Sequence, residues 1–428
     1  MGLPIPKSPK SHIRFIAAVA VIFLGLQPIP ADPITFNLTH SIYNPNPSSG
    51  ASFGARVAFA GDFVLIGALL ADIDDDQDGA AYLYHASTGE LVRTFKNPAP
   101  NQGDLFGSGL AWMGNELVVI AARGDDTGVA NSGRAFVFDI RSGNMIQTIE
   151  GPNPTNGGFF GHQVYPFGEN VLVAAPNDSV DGVETGGVYL FDPRTGSLLH
   201  EFKDPNPADG NEFGWNIDSF EDYVLIAADR DDSLREDGGV AYLFRGSDGA
   251  LLQTYQNPFP GTGDRFGMGT AIVDGKTAVI GAGMDYVNNT RSGAAFVFDL
   301  LSGVYQRPLY PPSPQSGSLF GVAAPYNEFV ILGAQQENNG GRAYLFNPLS
   351  GERVYNFVDP VPGNGGIQYG ARTAGYRNKV IVGAFADDTA GSNAGAAFLY
   401  ETPSVATCVQ SGTMDFQCAG FFSGTPTT

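Results

Sequence analysis

The chain has 428 residues, 57 of them Gly and 29 Pro, with 43% hydrophobic and only 16% charged residues. Such a composition buries a large core, and its dense Gly and Pro punctuation selects short strands joined by turns over long helices. A formal charge of −21 excludes a general nucleic-acid binder, and five His with two Cys leave little for a zinc centre or a disulfide framework.

The first 31 residues read as an address. Lys7, Lys10 and Arg14 precede an apolar run from Phe15 to Leu26, followed by Pro28, Pro30 and Ala31. A basic region, a short apolar region and a small residue after helix breakers predict a secretory signal cleaved near Ala31. The run is shorter than the roughly 20 residues a spanning helix needs. A chain secreted or held at a cell surface, without a transmembrane segment in its mature form, is the expectation.

From residue 34 onward one unit recurs. An aromatic-Gly pair stands at Phe53-Gly54, Phe106-Gly107, Phe160-Gly161, Phe213-Gly214, Phe266-Gly267, Phe320-Gly321 and Tyr369-Gly370. The spacing is 53 or 54 residues, and 49 at the last step. Each unit holds four short runs of strand type, here called a to d: in the first unit RVAFA, FVLIGA, AAYLY and LVRTFK. The a–b and c–d joints are tight and rich in Gly, as at Gly61-Asp62 and Thr88-Gly89, which supplies the backbone freedom that hairpin turns require. The b–c and d–a joints are longer, polar and rich in Pro. Four strands in each unit of about 50 residues predict a β-propeller blade.

The two ends complete the count. After run c of the seventh unit, Ala396–Tyr400, the chain leaves at Pro403 without a run d, while residues 34–47, ITFNLTHSIYNPNP, match a run d and its tail. The prediction is an all-β, seven-bladed β-propeller over 32–401, closed when residues 34–43 pair as the outermost strand of the last blade, which leaves no open edge at the seam. Residues 402–428 form a tail, in which Cys408 and Cys418 are expected to make one disulfide in an oxidising compartment.

These units resemble the FG-GAP repeat family, which includes the propeller of integrin α subunits and many secreted bacterial proteins. The likeness covers residues 34–401. The Phe-Gly half is strong, and the Gly-Ala-Pro half is looser, as in Gly67-Ala68-Leu69, Ala174-Ala175-Pro176 and Gly333-Ala334-Gln335. The resemblance implies a propeller that binds proteins, with cell adhesion among its uses. Integrin-like members carry a calcium loop between strands a and b. Here that joint is a short turn in every unit, so those ligands have no counterparts. Runs c and d are also similar to the repeat of quinoprotein dehydrogenases, but Phe95, Ile149, Phe202 and Tyr255 stand where that pattern has its docking Trp.

The long joints share one face, and that face is where function is expected. Its b–c loops carry Asp72, Asp74, Asp75, Asp76 and Asp78, then Asp125-Asp126, Asp178, Asp181, Asp231-Asp232 and Asp387-Asp388; the d–a loops add Asp104, Asp209 and Asp264. An exposed acidic face able to bind cations is one expectation. Its best local match is D-D-D-Q-D-G at 74–79, where Asp74, Asp76 and Asp78 open a calcium-type loop that lacks the later acidic ligand. The tripeptide Arg123-Gly124-Asp125 occurs in a loop expected to be exposed, at a place where other units also put Asp. The histidines share no repeat position, and no nucleophile–base pair is legible. Trp112 and Trp215 lie in run a and read as core or channel packing. The reading is a monomeric, non-enzymatic propeller binding a protein or extracellular polymer through its long-loop face. A carbohydrate-binding propeller, with Phe259, Tyr286 and Tyr310 as the nearest loop aromatics, is the alternative; an enzyme such as a hydrolase or quinoprotein ranks below both.

Overall fold

The computed structural model describes residues 34–73, 77–114, 116–362 and 367–403, together with the backbone of 407–410 and 416–419. The leader at 1–31 lies outside the described residues, as do Asp74 and Asp76. Seven four-stranded antiparallel sheets follow one another along the chain as the blades of a seven-bladed β-propeller. Blade 1 is Phe53–Ala60, Phe63–Ala68, Ala80–His85 and Leu91–Lys96, and the same a-b-c-d order repeats through blade 6, which ends at Arg353–Val358. Apart from a 3-10 turn at Glu337–Asn339, the described regular structure is strand.

Blade 7 takes its three inner strands from Tyr369–Tyr376, Lys379–Ala384 and Ala396–Glu401, and its outer strand from Asn37–Tyr43. The closing strand runs antiparallel to Ala396–Glu401, from Asn37 opposite Glu401 to Tyr43 opposite Ala396. The ring is closed as the sequence predicts.

The core is divided into seven apolar clusters, each between two neighbouring blades. Strand b explains why. In FVLIGA, Val64 and Ile66 enter the cluster shared with blade 7, while Leu65 enters the one shared with blade 2. Successive side chains point to opposite faces of a strand, and both faces are covered, so the run is continuously apolar. The six Phe and one Tyr of the Phe-Gly pairs are all buried in these clusters, at 0–2% exposure.

The glycine of each pair has a packing duty. Gly54 has φ +88°, and a Cβ there would strike the Ala396 carbonyl of blade 7. The small residue of the Gly-Ala half meets it from the preceding blade: a Cβ on Gly383 would strike the Gly54 carbonyl, and one on Gly67 the Gly107 carbonyl. The two halves of the repeat therefore touch across the blade interface, and both must be small. In the tail, Thr407–Gln410 pairs with Phe416–Ala419 in a register that sets Cys408 opposite Cys418.

Candidate functional site

The tight a–b and c–d turns leave one face of the ring, and the long b–c and d–a loops leave the other. The structure turns about half of the carboxylates of that long-loop face inward, away from the exposed patch expected of them. Asp104, Asp125, Asp178, Asp231, Asp264 and Asp387 are all buried. Their oxygens close the loops on themselves. The Asp125 carboxylate accepts from the Thr127 amide at 2.9 Å, Asp231 from the Ser233 amide at 2.7 Å and Asp387 from the Thr389 amide at 2.8 Å. Where a second Asp follows, it staples the loop further on: Asp126 accepts from the Asn131 amide, Asp232 from Asp237 and Asp388 from Asn393, at 2.6–2.7 Å. The repeated Asp-Asp is thus a loop-building device, because side-chain oxygens satisfy amides that no strand can reach. Asp126, Asp181, Asp209, Asp232 and Asp388 are exposed as expected.

A second layer ties each loop to strand c or to the preceding strand d. Tyr189 donates to Asp178 at 2.6 Å and Tyr344 to Glu337 at 2.6 Å. Asn97 donates to Asp104 at 2.7 Å, Asn211 to Asp204 at 2.8 Å and Asn257 to Asp264 at 2.9 Å. Burial pushes the Asp104 carboxyl up to about 6, with the charges of Asp125 and Asp126 adding to it against hydrogen bonds from Asn101 and Asn97. Burial likewise pushes Asp285 up to about 6, followed by the charge of Asp264. Among the described residues no group of three or more His, Cys, Asp or Glu is arranged to hold a metal ion. Asp78 is buried, and its backbone carbonyl takes the Phe106 amide at 2.8 Å.

The Arg123-Gly124-Asp125 tripeptide is not an exposed recognition loop. Asp125 is fully buried and ion-paired to Arg134 at 2.6 Å, and the Gly124 amide donates to the Asp104 carbonyl at 2.9 Å. The three residues are parts of the blade 2 loop frame.

The long-loop face also exposes aromatic rings. Phe259, Tyr286 and Tyr310 are 59%, 58% and 43% exposed. All three belong to blade 5 or the loops that flank it. Phe259 rests its ring 6.2 Å from Phe296 and 6.0 Å from Tyr305. The Tyr286 amide donates to Asp285 at 2.5 Å, and burial followed by the charge of Asp285 raises the Tyr310 hydroxyl above its ordinary value. Blade 5 also carries an extra two-residue ladder in its b–c loop, Tyr286–Val287 against Thr290–Arg291. The sequence marked these three aromatics as scarce; the fold sets Tyr286 and Tyr310 beside the buried Asp285 and Phe259 against Phe296 and Tyr305.

The innermost strands line a central channel. On blades 3 to 5 its polar side chains lace neighbours together. Gln163 accepts from the Ile217 amide at 2.7 Å, Asn216 from the Thr270 amide at 3.1 Å and Asp218 from the Ile272 amide at 2.6 Å. Trp112 lines the channel wall, and Trp215 stacks on His162 with ring centroids 4.6 Å apart, in line with the packing role expected of both.

Fold and site define a β-propeller whose rigid long-loop face is its most individual surface. Residues 38–84 and 260–298 match the family model described as FG-GAP repeat. The chain therefore carries FG-GAP repeats, and the first matched stretch spans the closing strand and strands a to c of blade 1. No curated protein matches the chain.

Proposed function

We propose that this is a non-enzymatic propeller, acting outside the cytoplasm or at a cell surface, that binds a partner protein through its long-loop face. The aromatic patch at blade 5 carries the reading. Phe259, Tyr286 and Tyr310 are exposed on loops whose bases are pinned by buried Asn257, Asp264 and Asp285. Large rings on a rigid frame bring apolar contact at small entropic cost, which is why aromatics dominate binding hot spots. FG-GAP repeats are typical of extracellular and cell-surface proteins. Among the described residues no helix is long and apolar enough to cross a membrane. A calcium ion at Asp74, Asp76 and Asp78 and a Cys408–Cys418 disulfide belong to the same proposal. The first rests on the sequence pattern, the second on the pattern and the hairpin register.

The same patch supports a second reading, binding of an extracellular polysaccharide, since sugar rings also pack on exposed aromatics. Immobilised protein exposed to the native extracellular fraction, in parallel with a glycan array, separates the two. A protein retained by the wild type and lost by the Phe259→Ser, Tyr286→Ser, Tyr310→Ser variant, at unchanged melting temperature, is the expected result. Array binding lost by the same variant assigns the patch to carbohydrate. Equal retention by wild type and variant removes the patch from the function.

A further inference from the structure

One position of the repeat behaves differently on two adjacent blades. Three residues after the aromatic of each Phe-Gly pair, strand a carries Gln163 and Asn216 on blades 3 and 4, which spend their side chains on the next blade's backbone. Blades 2, 5 and 6 place Gly109, Gly269 and Ala323 there. Blades 1 and 7 place Arg56 and Arg372, side by side across the ring closure, and both line the channel cavity of about 370 Å³. Each guanidinium makes one bond to its own strand, Arg56 to the Ala55 carbonyl at 3.0 Å and Arg372 to the Ala371 carbonyl at 2.8 Å. A guanidinium has five N–H donors, so most of each fork is unspent.

Arg123 joins them from blade 2. Its Nη1 donates to His162 Nδ1 at 3.0 Å, and its Nε is buried without a partner. His162 is buried and held neutral by its burial and by the charges of Arg56, Arg123 and Arg372, so its Nδ1 is free to accept and to orient the Arg123 fork. Burial lowers the basicity of all three arginines; for Arg56 the charges of Arg372 and Arg123 come next, and for Arg372 that of Arg123. The three cations therefore lie in one another's field.

Among the described residues none of the three has a carboxylate within ion-pair distance, in a chain with 44 acidic residues. The contrast with other arginines is sharp: Arg134 pairs with Asp125 at 2.6 Å, and Arg265 with Asp229 at 2.9 Å and Glu212 at 3.0 Å. The channel's own Asp218 is engaged by the Ile272 and Ser219 amides and by Tyr165. Arginine does not shed its proton. Two uncompensated guanidiniums lining a cavity, with that of Arg123 in their field, remain a net cost to the fold until an anion joins them, and planar forks match carboxylate, phosphate and sulfate oxygens.

We propose that Arg56, Arg123 and Arg372 form a channel site for a small multivalent oxyanion: phosphate, sulfate or a dicarboxylate, free or as the end group of a small organic molecule. His162 is its positioning residue. The site is independent of the blade 5 patch.

Calorimetric titration of the full chain in low-salt zwitterionic buffer with sodium phosphate, sodium sulfate and sodium succinate tests it, with NaCl at matched ionic strength as control. Saturable one-site binding of at least one oxyanion is expected, and the order of the three assigns the ligand chemistry. Arg56→Gln with Arg372→Gln should weaken it by roughly tenfold or more for each fork removed, the size of one charge-assisted hydrogen bond. Arg245→Gln, on an exposed arginine paired with Asp248, should bind as wild type. The double variant should also melt at or above the wild type without anion, because the repulsion is gone, and lose the rise in melting temperature that the bound anion produces. Heats and melting shifts that equal those of NaCl, or that survive the double substitution, would overturn the proposal.

Discussion

Ring closure by the N-terminal strand makes a demand that can be measured. Phe36 and Ile42 are 6% and 4% exposed, and they enter different clusters. Phe36 sits among Tyr326, Tyr355 and Phe357, with ring centroids 5.0–5.8 Å away. Ile42 packs with Phe53, Tyr84 and Leu399 at the seam between blades 7 and 1. Truncating a buried Phe to Ala costs about 3–5 kcal/mol and a buried Ile about 2–5. They stand six positions apart along an extended chain, roughly 20 Å, so the two costs should add. An outermost strand relaxes more easily than a central one, which places the expected sum near the lower end, about 5 kcal/mol. That is a large share of the roughly 5–15 kcal/mol that holds a domain folded. Urea unfolding of a chain starting at residue 32, followed by circular dichroism, is the assay. Phe36→Ala with Ile42→Ala should shift the midpoint strongly, while Leu38→Ala, 40% exposed on the same strand, should stay within about 0.5 kcal/mol. A chain beginning at residue 47 should regain stability when a peptide of residues 34–46 is added, since the peptide can pair with Ala396–Glu401. A double variant within about 1 kcal/mol of the parent, or a truncated chain that melts like the full one, would refute the closure.

Phe213→Ala, at a fully buried Phe-Gly position, should cost about 3–5 kcal/mol in the same assay, and a loss below about 1 would mean the aromatic does not hold its interface. Stability should peak at mildly acid pH. Burial pushes Asp104, Asp218 and Asp285 up to about 6, above their unfolded value near 3.8, so the folded chain holds these protons more tightly and loses stability as pH rises from about 4 to 6. Asp139, Asp192 and Asp299 are held low by turn hydrogen bonds, and their support is lost as pH falls below about 4. A melting temperature that only falls between pH 7.5 and 5 would contradict this balance. Ca²⁺ should raise the melting temperature beyond Mg²⁺ or NaCl at equal ionic strength, and Asp76→Ala should abolish the difference; equal shifts with all three salts would leave the 74–79 loop without a calcium role.

The blade count, the strand order and the closure were legible in the amino-acid order because each depends on local chemistry repeated at a fixed period. Turn glycines mark the hairpins, strand b runs apolar because both its faces are covered, and the missing run d after Tyr400 has its match at 34–43. The Phe-Gly and Gly-Ala halves were legible as motifs, but that they touch across neighbouring blades, as Gly54 does with Gly383, is a property of the assembled ring. Of the carboxylates read as an exposed acidic face, the first of each Asp-Asp pair is buried and the second is exposed. Whether an Asp faces solvent or turns inward depends on which amides its closed loop leaves unpaired, and the b–c loops leave two each to Asp125-Asp126, Asp231-Asp232 and Asp387-Asp388. Arg56 and Arg372 are unremarkable in the sequence, where they lie at opposite ends of the repeat array, and Arg123 stood out only as part of a tripeptide. Only closure of the ring sets blade 7 beside blade 1 and brings their charges into one channel, because like charges far apart along a chain acquire an interaction only when the fold removes the water between them.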